Sequence, residues 1–185
     1  MLTLKRARTG KRGFNLIEAA IVLGVIGLII GGIWVAAAAV QNNLRISNSS
    51  RNLIQIVQNI RNLYYGQSPA TATITTTLIS AGSIPADMVN GTTIVNAWNG
   101  AVTVELATTD TFDVSFDNVP QGACIDLITK NTNLSTGIGL SRIVVTPGTA
   151  SAVTTTTFPI LPSAAVTSCA NASDNMIVWR FGLRG

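Results

Sequence analysis

The chain has 185 residues, room for one modest domain beside a long apolar segment, and carries 12 Lys+Arg against 8 Asp+Glu for a net charge of +4. It has no histidine, which excludes both a Ser/His/Asp triad and a histidine base. A basic balance alone would point to nucleic acid or an anionic membrane, but five of the cations, Lys5, Arg6, Arg8, Lys11 and Arg12, fall within residues 1–13. Without them seven cations face eight anions, so direct nucleic-acid binding loses its support.

In chain order, residues 1–13 form a polar, basic leader, and Lys11-Arg12-Gly13-Phe14-Asn15-Leu16-Ile17-Glu18 then runs into an apolar segment that lasts to Val40. Residues 19–40 contain neither charge nor proline. About 20 such residues suffice to cross the hydrocarbon core of a bilayer. The leader's cations hold the N-terminus in the cytoplasm by the positive-inside rule, which places the remainder on the far side. Glu18 sits just inside the segment. An ionised group at a helix centre in lipid costs about 2.5–3.5 kcal/mol on insertion scales, and less near the end, yet it still asks for a partner. Gly24, Gly27, Gly31 and Gly32 lie in this stretch, each unfavourable by up to about 1 kcal/mol relative to Ala in a helix interior. Gly27 and Gly31 form a GxxxG pair that lets helices approach closely, and residues 36–39, all alanine, continue the small surface. Ordinary transmembrane composition is the plain alternative for these glycines.

From Gln41 the composition turns polar while the helical period continues. Leu53, Ile56, Val57, Ile60, Leu63 and Tyr64 fall on one stripe, with Arg51, Asn52, Gln55, Asn59 and Asn62 between them. Gly66, with Pro69 beyond it, is the expected stop. A continuous helix over residues 15–65 would be about 75 Å long at 1.5 Å per residue, half membrane span and half domain spine.

Beyond Gly66 the segments are short. The pattern predicts a short helix at 77–81, a turn at Ser83-Ile84-Pro85, a strand at 92–95 and a hairpin signal at Asn99-Gly100. Alternating strands follow at 101–106 and 111–116, then a short helix within 119–130, a strand at 141–146 and a final strand at 176–181. The low-complexity run 148–157 reads as a surface loop. The fold class is α+β, a long N-terminal helix packed on an antiparallel sheet. Cys124 and Cys169 are an even count in a chain read as exported, so one disulfide is the default, with free thiols and metal ligation as the alternatives. With no histidine and no third cysteine, a structural zinc site is disfavoured. Asp110, Asp113 and Asp117 do not follow the EF-hand spacing and read as solvated turn and strand-edge carboxylates. The sequons at Asn48, Asn90, Asn133 and Asn171 carry no weight in so Asn/Ser/Thr-rich a chain.

A secretory signal has its cleavage site after a shorter apolar region, and a plain anchor gives no reason for a basic leader ending in Gly, then an aromatic, then Glu in the fifth place. That arrangement resembles the class III signal of type IV prepilins. The resemblance implies cleavage between Gly13 and Phe14 by a membrane prepilin peptidase, methylation of the new Phe14 amine, and a role for Glu18 in subunit assembly. The distal part is similar to type IVb major pilins of the thin-pilus and toxin-coregulated kind. It is carried by Ile84-Pro85-Ala86-Asp87-Met88-Val89, by Gly91-Thr92-Thr93-Ile94-Val95-Asn96-Ala97-Trp98-Asn99-Gly100, by Val119-Pro120-Gln121-Gly122-Ala123-Cys124, and by a second cysteine before the closing strand. Phe14 as first mature residue is more usual in type IVa pilins and a 13-residue leader is intermediate, whereas a first helix without proline leans to type IVb.

The implied organisation is a leader at 1–13, a transmembrane and filament-core helix at 14–40, its amphipathic half at 41–66, and a globular domain at 67–185. That domain would include an αβ-loop (67–92) and a D-region bracketed by the cysteines (124–169). The implied function is structural, with no enzyme activity, cofactor or metal: a pilus subunit, the major one, polymerising with itself through its N-terminal helix for adhesion, aggregation or conjugative mating. Prepilin peptidase, an assembly platform and its ATPase would be partners, with a host or recipient cell surface beyond. Before assembly it would lie in the inner membrane with its domain in the periplasm, and afterwards in an extracellular pilus. A type II secretion pseudopilin, a minor pilin, or a non-polymerising membrane-anchored adhesin are the other readings.

Overall fold

The computed structural model describes residues 15–67, 72–132 and 135–184, divided into two compact units between Asn42 and Asn43. Helix α1, Leu16–Leu63, contributes to both units. At its start the Asn15 carbonyl accepts from the amides of Glu18 and Ala19 at 3.0 and 3.2 Å, and its side-chain oxygen accepts from Ile17 N at 3.4 Å. Asparagine satisfies amides there that no helical carbonyl reaches. At its end the chain turns through Gly66 at φ +73°, a left-handed geometry that glycine adopts without a Cβ penalty.

In the second unit α1 buries Ile46, Ser49, Leu53, Ile56, Val57 and Ile60. Tyr64 packs partly against this core, but Leu63, expected on the same stripe, is 36% exposed. At about 100° per residue, Leu63 falls to the margin of a stripe centred between Ile60 and Tyr64.

Seven strands form one antiparallel sheet: β1 Val89–Asn90, β2 Thr93–Val95, β3 Ala101–Thr108, β4 Thr111–Val119, β5 Leu140–Pro147, β6 Val153–Thr155 and β7 Asn175–Gly182. Their spatial order is β1-β2-β3-β4-β7-β5-β6, so the last strand is inserted between β4 and β5. Alternation sets the faces. Val102, Val104 and Leu106, Phe112, Val114 and Phe116, Ile143 and Val145, and Ile177, Trp179 and Phe181 all enter the core. Phe116 meets Trp179 edge-on at 5.1 Å and Phe112 lies 5.6 Å from Phe181. Such aromatic pairs add about 0.5–1.5 kcal/mol beyond the area they bury.

The remaining helices are α2 Thr75–Ser80, α3 Gln121–Thr132, α4 Ser135–Ile138 and α5 Pro162–Ser168, with a 3₁₀ turn at Ala86–Met88. The helices expected at 77–81 and 119–130 are present as α2 and α3; Val119 itself closes β4. Two expectations need correction. The run 148–157 is not all loop, because Val153–Thr155 pairs with Ile143, Val144 and Val145 as the edge strand β6. Threonine is a good strand former once a neighbouring edge offers hydrogen bonds, and low complexity concealed that. Strand β1 and helices α4 and α5 also lie outside the expected segments; two, four and seven residues show little periodicity.

Candidate assembly surface

The N-terminal unit bears an uncovered apolar surface. Leu16, Leu23, Leu28, Trp34 and Val35 are 88%, 69%, 79%, 73% and 74% exposed. An 18-residue window of α1 has a mean hydropathy of 2.5, so the helix is long and apolar enough to cross a membrane. Exposed side chains of this kind are stable only when lipid or other protein covers them.

Glu18 lies in the first turn of α1, exposed, three residues after the capping Asn15. A carboxylate there is favoured by the partial positive charge of the helix N-terminus, yet among the described residues Glu18 makes no ion pair. Gly13 and Phe14, the expected processing and methylation positions, lie outside the described residues. Gly24, Gly27, Gly31 and Gly32 are helical, and a Cβ built on any of them meets nothing within 4 Å. The fold of a single chain therefore gives no reason for four residues that weaken a helix. Gly27 and Gly31, four apart, share one helix face.

In the second unit Cys124 on α3 is bonded to Cys169 just after α5, so the disulfide is present and the alternatives of free thiols and metal ligation fall away. It ties two short helices across a sequence separation of 45. Arg61 on α1 has a role that no local sequence signal marks. Its Nε donates to Gly182 O at 2.9 Å and its Nη2 to Ile138 O at 2.8 Å, joining the spine to the ends of β7 and α4. Burial lowers its pKa from the ordinary arginine value.

The three aspartates separate. Asp110 faces Arg184 at 3.7 Å, and Asp117 accepts from the Asn118 amide at 3.0 Å. Asp113 is not the solvated edge carboxylate expected. It sits on β4 between β3 and β7, where Arg180 Nε and Nη2 donate to its two oxygens at 2.6 Å each. That two-pronged hydrogen bond raises the Arg180 pKa, with burial opposing. Only the strand register brings the two together.

The run Asn96-Ala97-Trp98-Asn99-Gly100 has a physical role of its own. The buried Asn96 side chain accepts from the amides of Trp98 and Gly100, both at 2.9 Å, and donates to Asp117 O at 2.6 Å. Asn99 takes φ +61°, and a Cβ on Gly100 would collide with the Asp117 carbonyl. The loop is thereby pinned against the end of β4.

A helix shared between an uncovered apolar unit and an antiparallel, disulfide-tied α+β unit, with its sheet completed by the C-terminal strand, is the architecture of type IVb pilins. The chain belongs to the family described as PilS N terminal, whose model matches residues 43–181. The major structural subunit of bundle-forming pilus from Escherichia coli O127:H6 is 23% identical over 180 residues, covering 91% of this chain and 93% of that protein. The toxin coregulated pilin of Vibrio cholerae is 28% identical over 139 residues, 66% of this chain and 59% of its own length. In fold, the crystal structure of type IV b pilin from Salmonella typhi aligns with a TM-score of 0.57 at 22% identity, over 72% of this chain and 97% of that one. The pilin resemblance and the α+β fold read from the sequence are borne out.

Proposed function

We propose that this chain is a structural subunit, the major one, of a type IVb pilus, polymerising through α1. The observation that carries the reading is the set Glu18, Gly27 and Gly31, three features for which the described residues give no intramolecular purpose, on a helix surface that none of them covers. The similarity to pilins that are named as pilus subunits supports it. In this reading residues 1–13 are a leader removed by prepilin peptidase between Gly13 and Phe14, and the Phe14 amine is methylated. The precursor waits in the inner membrane with residues 67–185 in the periplasm, until an assembly platform and its ATPase move it into the filament. A host or recipient cell surface is the partner of the finished pilus. Residues 14–40 line the filament core, residues 41–66 form the domain spine, and the segment 124–169 is the D-region.

The chemistry is docking rather than catalysis. The processed amine of an incoming subunit meets Glu18 of a neighbour. In an apolar medium a lone carboxylate is costly, and a charge that loses its partner there costs several kcal/mol, so the pair enforces register. Contacts between apolar helices supply the bulk of the cohesion, and Gly27 and Gly31 let the backbones approach.

N-terminal mass spectrometry on cell membranes and on material sheared from cells tests this directly. The expected result is a peptide beginning at methylated Phe14, abundant in the sheared fraction. Confinement of that peptide to membranes would favour a pseudopilin or minor pilin, and an uncut chain in cells holding the peptidase would overturn the reading. Glu18→Ala is expected to abolish sheared filaments while leaving expression and membrane insertion intact; normal filaments from it would remove the docking mechanism.

A further inference from the structure

The sheet face opposite the core carries a row of four charges. Residues directly opposite on neighbouring strands share a face. The registers Glu105↔Asp113, Asp113↔Arg180 and Arg142↔Arg180 therefore align Glu105, Asp113, Arg180 and Arg142 across β3, β4, β7 and β5. Like charges placed directly opposite destabilise a sheet, and this row contains two such pairs, one acidic and one basic. Asp113 and Arg180 satisfy each other. Glu105 is exposed, and neither it nor Arg142 makes an ion pair among the described residues; the Arg142 Nε is buried without a hydrogen-bond partner. Subunit stability does not account for the two outer charges.

The signs run minus, minus, plus, plus, so the row complements its own reverse. A two-fold axis lying in the face along the strands sets Arg142 of one copy over the acidic end of the other. That end holds a groove of about 310 Å³ lined by Thr103, Glu105, Asp113, Ser115, Met176 and Val178. Met176 and Val178 offer apolar surface to an arginine stem while Glu105, which makes no ion pair among the described residues, takes its guanidinium.

We propose that this face docks a second copy of the same chain, reversed, with Arg142 of each copy paired to Glu105 of the other. A two-fold contact closes on itself and cannot propagate a helix. Resting on the filament reading above, it therefore joins subunits of neighbouring filaments rather than successive subunits of one. Each such pair is weak by itself, but repetition along two filaments multiplies the effect, and salt screens it.

The test compares sheared filaments of the wild type, Glu105→Arg, Arg142→Glu and the double swap by low-speed sedimentation and electron microscopy at low and high salt. Total filament yield, read separately at high speed, reports on polymerisation. The expected result is lateral association in the wild type, its loss at high salt and in each single variant, and its return in the double swap, at unchanged yield. Association that persists in Glu105→Arg, or fails to return in the swap, overturns the proposal. Should wild-type yield be nil, the filament reading fails by itself, and clustering of lipid vesicles that carry many copies of the full chain decides the contact. Salt-sensitive clustering lost in Glu105→Arg and regained in the swap supports it; no clustering at low salt overturns it.

Discussion

Arg61 and Asp113 show how much of this fold rests on single side chains whose partners are remote in sequence. Arg61 reaches carbonyls of residues 77 and 121 positions away. Hydrogen bonds from a charged donor contribute about 1.5–3 kcal/mol each, and partial exposure and the relief of burying the guanidinium reduce the sum. We expect Arg61→Ala to destabilise the second unit by about 2 kcal/mol, read as a lower urea midpoint of the detergent-solubilised full chain. An unchanged midpoint would show the two bonds to be idle. Asp113→Ala strands the guanidinium of Arg180, half-buried with 26% of its side chain exposed. Breaking a fully buried pair costs about 3–5 kcal/mol, so about 2 is expected at this exposure. Replacing both residues by threonine removes the stranded charge and should lose less than Asp113→Ala alone. The reverse order would refute the pairing as the cause. Neither residue was legible beforehand, because an arginine on a helix and an aspartate in an alternating strand look like ordinary solvated positions until the register is known.

At the scale of elements, two glycine sites make opposite predictions. Gly100 stands where a Cβ would strike the carbonyl of Asp117. Gly100→Ala must push the β2–β3 loop off β4, and overpacking of this kind costs about 1–3 kcal/mol. A full-length thermal melt as stable as wild type would contradict that contact. A Cβ on Gly31 meets nothing within 4 Å among the described residues. Gly31→Ala should therefore leave the chain as stable or firm the helix by up to about 1 kcal/mol, while Gly31→Leu should cut filament yield with helicity by circular dichroism unchanged. Normal filaments from Gly31→Leu would mean that this glycine is mere membrane composition. The elements with strong period were readable: α1, β3, β4, β5 and β7 match the expected segments to within a few residues. The misses, β1, β6, α4 and α5, are short, and tertiary contacts decide them.

For the whole molecule, the Cys124–Cys169 bond encloses β5, β6, α4 and α5. In the chain-entropy account a loop of this length is worth about 4 kcal/mol through the unfolded state. Removing it in a Cys124→Ser/Cys169→Ser chain should lower the urea midpoint by a corresponding amount and reduce the folded subunit available for filaments. An unchanged midpoint would mean that β7 between β4 and β5 holds the region unaided.

The sequence by itself determined which part of the chain forms an apolar helix and which part folds around a core. A run of uncharged residues after a basic stretch, the isolated Glu18, the amphipathic period after Gln41 and an even pair of cysteines are local signals, because hydrophobic transfer and helical period act on neighbours along the chain. Only the tertiary structure decided that the last strand enters the middle of the sheet. From that insertion follow the Asp113–Arg180 pair and the charge row that ends at Arg142, while the threonine run becomes a strand by pairing with β5. Each depends on residues brought opposite one another by strand register, a long-range choice that leaves no mark on the local pattern.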